Sequence, residues 1–209
     1  MNDKEAVTED GFSLAALKAG DKHEFSRLVD SYSPLIYRLA LKVLGNPQDA
    51  EDILQETFIK AFRHLADFKG NSRLSTWLYR IATNEALMLI RKRKPDTFSI
   101  DSSNDYDDPD QEPMQIIDWC CMPEQELLSS ESRQYLDQAI ERLPTSLRVV
   151  FVLRDIEGLS TLETGEVLNL SETAVKTRLS RARLRLREDL TRYFGDRMGR
   201  KSVIEEGGH

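Results

Sequence analysis

Apolar positions in this chain recur at intervals of three and four residues and hardly ever alternate, which predicts helices and an all-α fold. Phe12, Leu14, Ala15 and Leu17 make a first short stripe, ended by Gly20 as the residue after the helix cap. Asp21 and Glu24 have capping-box spacing, and Phe25, Leu28, Val29 and Tyr32 follow in helical register. Ser33-Pro34 reads as a new start, a cap followed by proline, leading Leu35, Ile36, Leu39, Ala40 and Val43 to a stop at Gly45. Asn46-Pro47 repeats that device. The helix it opens carries Ala50, Ile53, Leu54, Phe58, Ala61 and Leu65 on one side and leaves Asp49, Asp52, Gln55, Glu56 and Ile59 largely off the stripe. Phe68-Lys69-Gly70-Asn71-Ser72 breaks the period as a loop. A helix then runs from Arg73 to Lys94 through Leu74, Trp77, Leu78, Ile81, Ala82 and Leu89.

Past residue 130 the same period returns. Tyr135, Leu136, Ala139, Ile140 and Leu143 form a stripe ended by Pro144, and Leu147, Val150, Phe151 and Arg154 form the next, closed by Gly158. Ser160 and Glu163 make a capping box for a short helix through Leu168, Asn169-Leu170 is a tight turn, and Ser171 caps a long last helix. Val175, Leu179, Ala182 and Leu186 face inward at i, i+4, i+7 and i+11. Lys176, Thr177, Ser180 and Arg181 therefore point away from the core, with Thr173 near the start. A short helix, a tight turn and a longer helix with a basic, hydroxyl-bearing outer face is the helix-turn-helix pattern, whose second helix fits a major groove. A plain helical hairpin is the bland alternative.

Charge sharpens this picture. The 209 residues hold 29 bases and 36 acids, a net −7. Pro95 to Ser132 contains eleven of the acids and no base, so the rest of the chain is net +4. This connector is too polar to fold by itself. It is either a solvated spacer or a tether that repels nucleic acid or occupies a basic channel. Ser171 to Arg187 carries six bases against Glu172 alone, and Arg91-Lys92-Arg93-Lys94 forms a second cluster. Two separate basic patches suggest two contacts with a polyanion.

Other chemistry is missing. Cys120 and Cys121 are adjacent, and His23, His64 and His209 are scattered, so neither a disulfide framework nor a metal site is expected. The chain contains no phosphate-binding glycine loop, nucleophile elbow or zinc-protease motif. No apolar run approaches the roughly 20 residues of a membrane span. The acidic start Met1-Asn2-Asp3-Lys4-Glu5 lacks the apolar stretch of a signal peptide. A cytoplasmic protein with no enzymatic activity, no cofactor and no small-molecule substrate is expected.

Two stretches together resemble a known family. Asp49-Ala50-Glu51-Asp52-Ile53-Leu54-Gln55-Glu56-Thr57-Phe58, Phe68-Lys69-Gly70 and Thr76-Trp77-Leu78-Tyr79-Arg80-Ile81-Ala82-Thr83-Asn84 resemble region 2 of bacterial sigma factors. Leu143-Pro144, Leu159-Ser160 and Thr173-Ala174-Val175-Lys176-Thr177-Arg178-Leu179-Ser180-Arg181-Ala182-Arg183 resemble region 4. Having only these two regions and a short linker is similar to the extracytoplasmic-function (group 4) class of the sigma-70 family. The resemblance implies two small helical domains: a region 2-like bundle at 1–94 and a region 4-like helix-turn-helix at 125–195. A flexible acidic linker at 95–124 would join them, and 196–209 would be a disordered tail.

The implied function is to bind core RNA polymerase, through its β′ clamp and β flap, and to direct initiation at promoter DNA. An anti-sigma factor is a further implied partner, and no membrane insertion is implied. On the polymerase side the matching residues are Asp49, Asp52, Gln55, Glu56 and Ile59, which until this point could equally be a solvated face. Phe68, Ile81 and Asn84 match a pocket for a flipped −10 base, which needs an apolar or aromatic wall and an amide for the base edge. Arg80, Arg91, Lys92, Arg93 and Lys94 would hold −10 phosphates. Thr173, Lys176, Thr177, Ser180 and Arg181 match the −35 reading face, and Arg178 a −35 phosphate contact. The competing class is a stand-alone helix-turn-helix regulator with an N-terminal sensor domain, which would have no need of the Trp77–Asn84 helix and its Phe68 loop. Departures from the family pattern are Thr164-Gly165 in the first helix of the motif, Trp119-Cys120-Cys121 in the linker, and the tail beyond about Phe194. Glycine inside a helix costs up to about 1 kcal/mol against alanine, so that helix is expected to be soft.

Overall fold

Several helices begin or end on local signals that are legible in the sequence, Asn46, Ser160 and Gly45 among them. The computed structural model describes residues 11–93 and 130–206, with side chains over 11–93 and 133–193. The expectations for the linker at 95–124, for Lys94 and for Trp119, Cys120 and Cys121 lie outside the described residues. The elements are α1 (Leu14–Lys18), α2 (Lys22–Leu44), α3 (Pro47–His64), a 3₁₀ turn (Leu65–Asp67), α4 (Leu74–Arg93), α5 (Ser130–Arg142), α6 (Thr145–Phe151), a π turn (Val152–Ile156), α7 (Thr161–Leu168) and α8 (Glu172–Glu206). Most of the described residues are helical, with no strand among them.

Asn46 caps α3 by accepting from the Asp49 N–H at 3.1 Å, with Pro47 in the first turn. The Ser160 box is complete: Ser160 Oγ accepts from the Glu163 N–H at 3.1 Å, and the Glu163 carboxylate accepts from the Ser160 N–H at 2.8 Å. The bonds from Ser160 hold the Glu163 carboxyl below its ordinary range. Ser160→Ala is expected to lower stability by about 1 kcal/mol. A melting curve superimposed on wild type would show that water replaces the cap at no cost.

Three expectations are corrected. Ser33-Pro34 starts no helix, because α2 is continuous through Pro34. Leu28, Tyr32, Ile36, Leu39 and Val43 stay in phase on its buried side, and that shared burial outweighs the hydrogen bond that proline cannot donate. Ser33 Oγ donates to the Val29 carbonyl at 2.6 Å beside the break. Second, the Asp21 box is one-sided. Asp21 accepts from the N–H groups of His23 and Glu24, but Glu24 turns away to accept from the Ser13 N–H at 2.7 Å and to pair with Arg27. Third, helix α8 continues to Glu206, through residues expected to form a disordered tail. No proline or glycine pair interrupts it before Gly207-Gly208.

α2, α3 and α4 enclose Leu28, Ile36, Leu39, Ala50, Ile53, Leu74 and Leu78, all buried. α6, α7 and α8 enclose Val150, Leu153, Val167, Val175, Ala182 and Leu186. These two sets are continuous rather than separate. α4 lies against α7, and α2 meets α5 and α6, so the two halves share one buried seam.

Candidate nucleic-acid and polymerase interfaces

The helix-turn-helix is α7, the turn at Asn169-Leu170, and the first turns of α8. Asn169 takes the left-handed conformation at φ 55°, and the Leu170 N–H donates to the Gly165 carbonyl at 2.9 Å. The Ala174 N–H donates to Ser171 Oγ at 3.2 Å, the cap expected of Ser171. Gly165 is no soft spot, contrary to expectation. A Cβ there would lie 2.7 Å from the Leu170 carbonyl oxygen, so the turn closes only over a glycine.

Beyond the turn, Val175, Leu179, Ala182 and Leu186 are buried, and Thr173, Lys176, Thr177 and Ser180 are exposed. The Lys176 ammonium is only loosely paired with Glu172 at 3.9 Å. Arg178 and Arg181 are half-buried and already hold partners of their own. Arg183 leaves the basic face: it clamps Asp155 with two bonds of 2.8 and 2.7 Å and ties α8 to the π turn.

On α4, Arg80 and Asn84 are exposed and Ile81 is half-buried between them, so the three share one outward face. Phe68 does not join it as an open wall. It is 7% exposed, and its ring closes on Trp77 with centroids 5.1 Å apart. The loop it belongs to otherwise has only Gly, Lys and small polar residues, so its one large apolar side chain turns inward. Arg91, Lys92 and Arg93 are exposed at the end of α4, and Arg91 holds a partner of its own.

Asp49 also departs from expectation. It is 6% exposed, and both of its carboxylate oxygens accept from the Arg93 guanidinium. That bidentate bond holds the Asp49 carboxyl below its ordinary range and takes Arg93 out of the free basic cluster. The pair fastens the end of α4 to the start of α3.

The rest of the α3 face is available. Asp52 and Gln55 are exposed, Glu56 is half-buried and lies 3.5 Å from Lys60, and Ile59 is 43% exposed. Gln55 and Ile59 border an apolar groove of about 550 Å³ between α2 and α3, lined also by Phe25, Val29, Phe58 and Phe62. Phe62 is 54% exposed and meets Phe25 edge-on, with ring centroids 5.0 Å apart. Reading for a single stripe missed Phe62 and with it the groove. The signal was a second stripe, Gln55, Ile59 and Phe62 at i, i+4 and i+7.

Among the described residues no helix is long and apolar enough to cross a membrane, and no group of side chains could hold a metal ion. Residues 28–95 match the family model for sigma-70 region 2, and residues 133–186 that for sigma-70 region 4. The chain is 41% identical to the ECF RNA polymerase sigma factor SigW of Bacillus subtilis, over 85% of this chain and 94% of that protein. It is 35% identical to the RNA polymerase sigma-H factor of Pseudomonas aeruginosa, over 80% and 86%. The fold is similar to CnrH in complex with the cytosolic domain of CnrY (TM-score 0.61, 25% identity, 85% of this chain and 94% of that one). It is equally similar to the sigma factor RpoE bound to the anti-sigma factor NepR from Bartonella quintana (TM-score 0.61, 26% identity, 80% and 97%). A region 2 upstream of the helix-turn-helix sets aside the stand-alone regulator, and the chain belongs to the extracytoplasmic-function class of sigma-70 factors, subunits that bind core RNA polymerase and direct promoter-specific initiation.

Proposed function

We propose that three separate faces divide this work. The first turns of α8 read the −35 element, with Lys176, Thr177 and Ser180 at base edges, Thr173 and Arg181 beside them, and Arg178 on a phosphate. The observation that carries this is the division of α8 into a buried apolar side and an exposed basic, hydroxyl-bearing side directly after a closed turn. Lys and Arg donate to guanine acceptors in a major groove, and Ser and Thr bond to either partner. Lys176→Ala is expected to weaken −35 binding by about 1–3 kcal/mol if it touches a base edge. Footprinting tests it, and undiminished −35 protection would remove Lys176 from the reading face.

The outward face of α4 takes the −10 element. Asn84 would bond the edge of a flipped base, Ile81 would be its apolar wall, and Arg80, Arg91, Lys92 and Lys94 would lie on the strand's phosphates. Phe68 supports that face from beneath through Trp77. Its wall is thus supplied by Ile81 rather than by the phenyl ring.

On α3, Asp52, Gln55, Glu56 and Ile59 dock on the polymerase β′ clamp, with the Phe25–Phe62 groove beside them; region 4 meets the β flap. Asp52→Lys with Glu56→Lys is expected to reduce core binding while stability changes by no more than about 0.5 kcal/mol. Wild-type affinity in the folded double variant would make that face a solvated one. Because CnrH and RpoE are held by CnrY and NepR, an anti-sigma protein is proposed as a partner here too. Phosphodiester chemistry stays with the polymerase, in the cytoplasm; this chain contributes binding free energy and no catalytic residue.

A further inference from the structure

The outward side of α4 carries one large side chain that the roles given above leave without work. Met88 is 56% exposed, and no other large apolar residue of α4 is exposed. Its place follows from helical period. Trp77, Arg80, Ile81, Asn84, Met88 and Arg91 fall at i, i+3, i+4, i+7, i+11 and i+14, one stripe on a helix of 3.6 residues per turn. Leu78, Ala82 and Ala86, on the opposite side, are buried.

Single exposed apolar side chains are common on protein surfaces and by themselves mark nothing. Three observations set this one apart. The first is its company. Asn84 lies one turn before it, and the exposed cations Arg80 and Lys92 stand on either side along the helix, as a phosphate chain passing over the stripe would need. The second is that acid is kept away. Glu85 is the one acid of α4, and it turns toward α3, where Lys60 Nζ lies 2.6 Å from its Oε2. The stripe around Met88 therefore presents no carboxylate to repel a phosphate. The third is distance. At about 1.5 Å per residue Met88 lies about 6 Å along the axis from Asn84. Successive bases of one strand rise about 3.4 Å, so Met88 stands level with a base one or two positions from the one Asn84 captures.

A thioether can recognise little on a base. Base edges present hydrogen-bond donors and acceptors, and methionine has no donor and only a weakly accepting sulfur. The one apolar group on a base edge is the C5-methyl of thymine, which apolar side chains contact in known readouts. An unbranched, polarisable side chain with three rotatable bonds can lie against such a group without exact prior placement.

We propose that Met88 is a specificity-determining residue whose side chain packs on the C5-methyl of one thymine, on the strand that Asn84 engages and one or two positions from its captured base. This rests on the −10 reading of α4 given above. Phosphate contacts position a strand and carry no sequence information. Met88 adds a base preference that Arg80 and Lys92 cannot supply.

The test uses core polymerase with the full chain. A duplex pool randomised over the −10 region is selected for binding by wild type and by variants. Wild type should enrich thymine at one position in that window. Met88→Gln should lose the enrichment, and Met88→Leu should keep it. Each thymine of the selected sequence is then replaced by deoxyuridine, which removes the methyl and leaves pairing intact. At the Met88 position wild type should bind the deoxyuridine duplex about fourfold more weakly, the worth of one buried methyl group. Met88→Gln should bind the two duplexes alike, with the melting temperature and core affinity of wild type, because the position is exposed. Deoxyuridine tolerated by wild type at every position, or an equal penalty in wild type and Met88→Gln, would overturn the proposal. So would thymine enrichment that survives Met88→Gln. A variant equally weakened on thymine and deoxyuridine would make Met88 a wedge without base preference, and one that loses core affinity would assign the side chain to the polymerase. Either result also overturns it. Failure of the −10 reading itself has a separate signature: Asn84→Ala would select the same −10 sequence as wild type.

Discussion

Phe68→Ala is expected to destabilise region 2 strongly, while Asn84→Ala leaves the protein stable and impairs its melting of DNA. The family resemblance groups both residues into one base pocket, but they occupy different environments. The Phe68 ring is buried against Trp77, and removing it leaves a cavity that costs about 3–5 kcal/mol. A whole domain has a stability of only about 5–15 kcal/mol, so this one change consumes a large share. Asn84 is exposed, and its truncation should shift stability by no more than about 0.5 kcal/mol. Its amide has work only after a base has left the stack, when hydrogen bonds offset an unstacking cost of a few kcal/mol. With Asn84→Ala, closed-complex footprints should match wild type and permanganate reactivity of the −10 thymines should fall about tenfold or more. Phe68→Ala should lower the melting temperature and every promoter activity together. Normal thymine reactivity with Asn84→Ala would remove the amide from base capture. Wild-type stability with Phe68→Ala would mean the ring is not part of the core.

What can be read from the sequence is what depends on near neighbours. Asn46, Ser160 and Ser171 cap where they should, because a cap is a bond between residues three apart. The inward stripe of α8 is likewise fixed by helical period. Pro34 misleads because its local signal is real and is overruled by a buried face that runs past it on both sides. Asp49 and Arg93, 44 residues apart, meet through tertiary packing, which no spacing rule registers. The seam is invisible for the same reason. Across it Glu157 pairs with Arg38 and Tyr79, which come from separate parts of the chain, and that pairing belongs to no motif. The chain is legible as two halves with a linker, and what the halves do to each other is not.

Gly165→Ala tests how far local rules can be trusted, because propensity and packing give opposite signs. On helix propensity alone the substitution should stabilise α7 by up to about 1 kcal/mol. The added methyl would meet the Leu170 carbonyl oxygen at 2.7 Å, well inside van der Waals contact. That atom is backbone, and it cannot swing aside like the end of a flexible side chain. Gly165 and Leu170 are also joined by the bond that closes the turn, from the Leu170 N–H to the Gly165 carbonyl at 2.9 Å. Relieving the clash therefore means lengthening that bond and shifting the start of α8, where Thr173, Lys176 and Thr177 are carried. Overpacking of this kind costs about 1–3 kcal/mol, which exceeds the propensity gain. The expected result is a net loss of stability together with a drop in −35 affinity of about tenfold or more, while core-polymerase binding through α3 is unchanged. Gly165→Val should be worse on both counts, since a branched side chain adds bulk at the same point. A Gly165→Ala protein that melts higher than wild type and protects the −35 element normally would show that the turn yields to the methyl, and that the glycine is there for no steric reason.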